Sequence, residues 1–300
     1  MRPAPFAYAR PDTVAEATEL LAANSGRASV LAGGQTLIAQ LNRRAVRPAL
    51  VVDLKWIDGL RGMAENGTGG AHIAALTTHR EVETGCLPTG FEVLRETTRF
   101  IAHAPVRIRG TIGGSLMNAD PRAEWPTLSI LLDAEVTLVG TGGERRMRAD
   151  ALLVGDRVTS AEPDEILVAV DIPAAPDAAG VTEFAYRPND LALVIAGVAL
   201  HRDCAGAIER AAIALGGVGG PVHRITAAET LLVGAAAPED GPLDPALCRE
   251  VGAVAAVEIE PVSDHHASAA YRRELAAVLV ERALLRARTR PSRRPDGGAA

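Results

Sequence analysis

The first sixty positions switch between two hydrophobic periods. Val14, Ala17, Leu20 and Leu21 recur at helical spacing behind Thr13-Val14-Ala15-Glu16, which reads as a capping box, and Gly26 follows as a stop signal. The pattern predicts one amphipathic helix there. Two short apolar runs, Ser29 to Ala32 and Leu50 to Leu54, read as buried strands, with a short helix from Leu37 to about Arg43 between them. The result is a β-turn-α-β unit whose turn leads directly into a helix.

The pattern changes from about residue 60. A Gly-rich turn at Asn66–Gly70 leads to a strand over His72–Leu76 and a helix opened by Thr78. Further helices are predicted over Leu94–Ile101 and Pro126–Leu132. Val136–Val139 and Arg145–Arg148 flank Thr141-Gly142-Gly143 as a hairpin, and a strand over Glu165–Ile172 ends at Pro173. Residues 174–180, rich in Ala, Pro and Gly, read as a linker. Strands then come first (Val181–Tyr186, Ala192–His201, Glu209–Leu215), and helices follow (Thr226–Val233, Pro245–Ile259, Ala269–Arg286). Segregated strands and helices define an α+β unit. Residues 288–300 mix Arg, Pro and Gly and read as a disordered tail.

Composition narrows the class. A chain of 300 residues with 48% hydrophobic and 23% charged positions can bury the cores of about two domains. The net charge is −6 and the basic residues are dispersed, which excludes a nucleic-acid surface. No apolar run approaches the roughly 20 residues of a membrane span, and the N-terminus lacks the apolar core of a signal peptide. Cys86, Cys204 and Cys248 are scattered and odd in number, so no disulfide framework or CxxC site is expected. A cytoplasmic location is the simplest expectation.

Two paired-glycine segments carry the candidate chemistry: Ala32-Gly33-Gly34-Gln35-Thr36 and Thr111-Ile112-Gly113-Gly114-Ser115. Adjacent glycines permit positive φ and a close ligand approach, so successive amides can converge on an anion. The hydroxyls of Thr36, Thr111 and Ser115 add donors. Two such segments suggest a ligand with two linked anionic groups, such as a dinucleotide diphosphate.

Three stretches bring the chain close to a known family: Leu31–Leu37, Arg109–Pro121, and Glu260-Pro261-Val262-Ser263-Asp264 followed by Tyr271-Arg272-Arg273. On these the chain resembles the FAD-binding medium subunits of the xanthine dehydrogenase and carbon monoxide dehydrogenase group of molybdenum hydroxylases, over Phe6 to Leu285. The resemblance implies an α+β chain. Residues 1–175 would form a two-part FAD domain of the vanillyl-alcohol-oxidase (PCMH) type, with subdomains at about 1–57 and 58–175, and 181–287 a C-terminal domain of antiparallel sheet and helices. It implies that residues 31–36 (Leu31, Ala32, Gly33, Gly34, Gln35, Thr36) and 111–115 (Thr111, Ile112, Gly113, Gly114, Ser115) hold the FAD diphosphate. Asp120 and Glu124 would contact the ribityl or adenosine part, and Arg187 would lie near the flavin. No metal ligand and no catalytic acid–base pair is assigned.

The implied role is electron transfer. Electrons would arrive from a partner small subunit with two [2Fe–2S] clusters, fed by a large molybdopterin subunit, and leave to NAD⁺, dioxygen or another acceptor. Two departures from the family pattern stand out: Ile108 replaces a common Asn, and Glu124 a more usual Asp. Three scattered cysteines cannot ligate the extra iron–sulfur cluster of one family branch. Alternatives are a self-contained flavin reductase resembling UDP-N-acetylenolpyruvoylglucosamine reductase, and a cofactor-free scaffold. The Pro-Val-Ser-Asp and Tyr-Arg-Arg segments weigh against the first and the glycine pairs against the second.

The remaining motifs read as structural. Gly216–Gly220 is followed by Pro221 where a nucleotide loop needs a third glycine and a helix. His265-His266 has no third ligand at suitable spacing, Cys86 has no neighbouring base, and Arg286–Arg290 reads as a solvated charge run. Trp56 and Trp125 are expected in the core.

Overall fold

The computed structural model describes residues 2–24, 26–237 and 243–289. β1 (Ala7–Ala9), α1 (Val14–Asn24), β2 (Ala28–Leu31), α2 (Leu37–Arg43) and β3 (Leu50–Asp53) build a parallel sheet in the order β1-β3-β2. α1 buries Ala17 and Leu21 in a small core with Val52 and Leu54. Its cap differs slightly from the predicted box. The Glu16 amide donates to the Thr13 hydroxyl at 3.1 Å, but the Glu16 carboxylate accepts from the Asp12 amide, one residue early.

The middle of the chain contains β4 (Met63–Glu65), β5 (Ala71–Ala74), α3 (His79–Thr84), α4 (Glu92–Thr98), α5 (Ala104–Arg107), α6 (Ile112–Asn118) and α7 (Glu124–Leu131). β6 (Glu135–Gly140), β7 (Gly143–Arg148), α8 (Ala149–Leu152), β8 (Leu153–Gly155), β9 (Val158–Thr159) and β10 (Ile166–Ile172) follow. Five of these strands form an antiparallel sheet, β4-β5-β10-β6-β7. Thr78 and Glu81 make the reciprocal capping box that opens α3. α4 starts and stops earlier than the periodicity predicts. After Thr98 the chain tightens into i→i+3 bonds at Phe100 and Ile101 and then turns through Ala102 at φ 39°. α7 starts two residues before Pro126, which its first turn tolerates because those amides have no intrahelical acceptor.

β11 (Ala178–Phe184), β12 (Val194–Arg202), β13 (Ile208–Gly216) and β14 (His223–Arg224) precede α9 (Thr226–Leu232), α10 (Pro245–Glu258), α11 (Ala269–Arg286) and β15 (Arg288–Thr289). The third sheet runs β14-β13-β12-β11-β15, all antiparallel. Two boundaries are corrected. β11 begins inside the expected linker because Ala178 and Val181 bury against the core. Arg288 and Thr289, expected in the tail, pair with Ala179 and Ala178; residues 290–300 lie outside the described residues.

α7 joins the units. Every one of its residues is buried. A Cβ on Gly197 of β12 would lie 2.7 Å from Leu131 Cδ2 of α7, so the glycine lets that side chain pack close to the strand. Short strands such as β1, β8 and β9 escaped prediction because two or three residues carry no readable alternation. No helix among the described residues is long and apolar enough to cross a membrane.

Candidate cofactor cleft

The two glycine segments meet each other. A Cβ on Gly33 would lie 2.1 Å from the Arg109 carbonyl oxygen, so the first turn packs directly on the backbone leading into the second. Gly34 takes φ 74°, the left-handed conformation that its neighbour contacts and the entry to α2 require. Among the described residues, the amides of Gly33, Gly34, Gln35, Thr36 and Leu37 donate to no protein acceptor. Five successive open amides form a ready anion cradle.

The second segment differs from the sequence reading. It is the first turn of α6, and neither Gly113 nor Gly114 has positive φ. Its amides are used internally: Ile112 donates to Thr77 O (3.0 Å), Gly113 to Ala75 O (2.8 Å), Gly114 to Thr111 Oγ1 (3.1 Å) and Ser115 to Thr111 O (3.0 Å). Gly113 is required because a Cβ there would stand 2.7 Å from the Ala75 Cβ. This segment therefore offers side chains to a ligand, chiefly Ser115 and, one turn on, Asn118.

Between the segments opens a cleft of about 440 Å³. Residues 32–36, Thr111, Gly113, Gly114 and Ser115 line it. Leu31 lines an adjoining hollow, and Ile112 points into the core at 0% exposure. Three predicted residues stand outside the lining. Asp120 is buried and paired with Arg122 and Arg157. Glu124 is buried at the start of α7; burial, reinforced by the charge of Glu183, raises its pKa to about 8. Arg187 is exposed between β11 and β12.

The cleft adds residues that the sequence reading left out, notably His79, Gln40, Asn118 and the Glu165–Leu167 edge. Asn118 lies inside the stretch that carries the family likeness, which was a usable signal. His79 had none beyond its place after the cap Thr78. Its Nδ1 accepts the Trp125 indole N–H at 3.0 Å, and burial, aided by Arg107, lowers its pKa to about 4. Trp125 belongs to the core as expected, whereas Trp56 is 47% exposed with Arg10 4.0 Å over its ring. Trp56 ends the short 3-10 turn Leu54–Trp56 that follows the central strand β3, so its ring stands at the carboxyl end of the sheet and meets solvent.

The third stretch is structural. Arg272, buried on α11, donates to the Leu193 and Gly217 carbonyls at 2.6 Å and to both Asp264 oxygens at 2.8 Å. Burial opposes ionisation of Asp264, but the amides of Ala267 and His266 and the Arg272 guanidinium together hold its carboxyl well below the usual range.

Comparison with known proteins identifies the family. Residues 4–175 match the FAD binding domain in molybdopterin dehydrogenase, and residues 179–287 match the CO dehydrogenase flavoprotein C-terminal domain. The chain belongs to the FAD-binding medium subunits of molybdenum-hydroxylase-type dehydrogenases, and is thus an oxidoreductase subunit with FAD as its cofactor. It is 36% identical to the 6-hydroxypseudooxynicotine dehydrogenase complex subunit alpha of Paenarthrobacter nicotinovorans, covering 98% of each chain. It is 34% identical to the carbon monoxide dehydrogenase medium chain of Afipia carboxidovorans, covering 97% of this chain and 99% of that one. The crystal structure of quinoline 2-oxidoreductase from Pseudomonas putida 86 superposes with a TM-score of 0.88 at 32% identity, over 96% and 98% of the two chains.

Proposed function

We propose that this chain is the electron-transfer subunit of a heteromeric molybdenum hydroxylase. Its partners would be a small subunit carrying [2Fe–2S] clusters and a large molybdopterin subunit, and it would pass electrons to NAD⁺, dioxygen or another acceptor. In this reading residues 1–175 form a PCMH-type domain with parts at about 1–57 and 58–175, residues 181–287 form the C-terminal domain, and the complex is cytoplasmic.

The run of open amides at Gly33–Leu37 carries the site assignment. An anion placed there gains hydrogen bonds without a protein acceptor being displaced. A hydrogen bond to a charged group contributes about 1.5–3 kcal/mol, so several offset the cost of ordering a cofactor. The residues fit FAD: open amides for a diphosphate, hydroxyls at Thr36 and Ser115 for its oxygens, and an apolar wall at Leu54 and Ile166. Bound, FAD supplies one- and two-electron chemistry that no side chain of this chain offers. The chain's own residues bind and orient it, and His79 faces it as a neutral ring. Asp120 and Glu124 remain assigned to the ribityl or adenosine part, and Arg187 to the flavin, as a proposal.

Flavin analysis tests the reading. The purified chain is expected to be yellow, to hold one FAD per chain and to show no iron–sulfur EPR signal. Gly114→Val is expected to lose FAD while keeping its far-ultraviolet dichroism. A folded, colourless chain that refuses added FAD overturns the assignment; a Gly114→Val variant with full flavin content means that the second segment is not at the phosphate. NADPH oxidation driven by UDP-N-acetylglucosamine enolpyruvate would instead favour the self-contained reductase.

A further inference from the structure

Behind the first glycine turn lies a second hollow, also of about 440 Å³. Residues 32–35 line both this hollow and the cofactor cleft. Its charged lining is Lys55, Arg109 and Asp53, with the Asn42 amide beside them. Lys55 is the single lysine of the sequence, against thirty arginines. Other arginines of the chain are committed to carboxylates, Arg107 to Glu83, Arg122 and Arg157 to Asp120, Arg145 to Glu165, whereas Arg10, on the same Trp56 ring as Lys55, has no ion-pair partner among the described residues. Lys55 and Arg109 meet no carboxylate among the described residues, and the Lys55 ammonium rests only on the Trp56 ring, 5.0 Å away. Two cations without an ion-pair partner, set against the one carboxylate of Asp53, leave the concavity net positive and favour an anion there.

Asp53 narrows the ligand class. β2 and β3 are parallel, and Leu31 is in register with Asp53, so the carboxylate stands at the carboxyl end of the sheet beside the glycine turn. Ligands of parallel strands bind outside those ends, where an acidic residue accepts from ribose hydroxyls. The Asp53 oxygens are held by the Tyr8 hydroxyl at 2.7 Å and the Lys55 amide at 3.0 Å, leaving lone pairs on a fixed carboxylate. A lone phosphate would be repelled by it, whereas a sugar phosphate would use both signs of charge. We propose that this hollow binds the ribose diphosphate of a second nucleotide, separate from FAD. The inference rests on the reading above only in assigning FAD to the first cleft.

Calorimetric titration of ADP into the FAD-loaded full chain tests it. One ADP per chain is expected with the flavin retained, and affinity should fall with rising salt. Lys55→Gln and Arg109→Gln are each expected to weaken ADP about tenfold with flavin content unchanged. Inorganic pyrophosphate should bind more weakly than ADP. NADH binding that depends equally on Lys55 identifies a dinucleotide as the source, and ADP binding alone a mononucleotide; either supports the site. No ADP uptake by the loaded chain, displacement of FAD by ADP, pyrophosphate binding as tight as ADP, or unchanged affinity in both variants overturns it. A chain that rejects FAD yet binds ADP through Lys55 would refute the flavin reading and leave this site standing.

Discussion

The Trp125 indole N–H donates to His79 Nδ1 across 3.0 Å, and this one bond decides the state of the histidine in the cleft. An indole nitrogen can only donate, so Nδ1 must be unprotonated and the ring proton sits on Nε2. Burial acts in the same direction by penalising the imidazolium. The cleft thus presents a neutral ring beside Gly110 and Thr111.

This tautomer makes stability depend on pH. The folded-state pKa of His79 is about 4, below its ordinary 6.5. Between these values the unfolded chain binds a proton that the folded chain refuses. The stabilisation is therefore complete above pH 6.5 and is lost as pH falls toward 4, by about 3 kcal/mol in all. Urea unfolding of wild type and His79→Gln from pH 7 to 4 measures it. The variant should lose less stability over that range, and parallel slopes would refute the locked neutral ring.

The two glycines of the first turn should fail differently. Gly33→Ala drives a Cβ into the Arg109 carbonyl at 2.1 Å, backbone against backbone, and should cost about 1–3 kcal/mol or more by forcing the segments apart. Gly34→Ala meets only the Ile38 and Leu31 side chains at 3.2 Å, and should cost about 1 kcal/mol through its φ of 74°. Thermal unfolding distinguishes them. Equal losses would mean that the Gly33–Arg109 contact is looser than it stands here.

Why the two segments read alike in sequence and act differently in space is itself instructive. A glycine pair flanked by hydroxyls signals a close approach, and both segments make one. It does not say whether the approaching partner is a ligand or another strand of the same chain. Gly113 is small because of Ala75, and Gly114 lies over the Thr111 cap; only three-dimensional packing reveals this. The long elements were readable because their periods are long, as with α11 and β12. β15 was not, since a two-residue strand is defined by its partner, Ala178–Ala179, and not by its own pattern.

The Pro-Val-Ser-Asp and Tyr-Arg-Arg stretches should prove structural on test. Asp264→Asn leaves the Arg272 guanidinium, 3% exposed, without its anion. Asp264 is 39% exposed and Arg272 keeps the Leu193 and Gly217 carbonyls, so the loss should be about 1–3 kcal/mol. The variant should therefore unfold at markedly lower denaturant, yet retain its flavin under conditions where it is folded. Normal stability with lost flavin would place this pair at the cofactor instead.

Glu124 and Glu183 titrate in the opposite sense to His79. Burial raises Glu124, the charge of Glu183 raises it further, and the result is about 8; burial alone raises Glu183 to about 7. Glu183 Oε2 is buried without a hydrogen-bond partner among the described residues. Acids raised in the fold stabilise it while protonated, so their contribution is full below about 4.5 and disappears as pH rises through 7 to 8. The charge of Glu183 adds to the burial that holds Glu124 neutral. Glu124→Gln keeps the neutral shape and removes one of the two charges. Flavin-free wild type should thus lose stability between pH 6 and 9, and Glu124→Gln should lose clearly less, becoming the more stable form at pH 9. Denaturant titrations at both pH values decide the matter: equal losses in the two proteins would mean that Glu124 ionises freely, and that α7 does not seal it between the sheets.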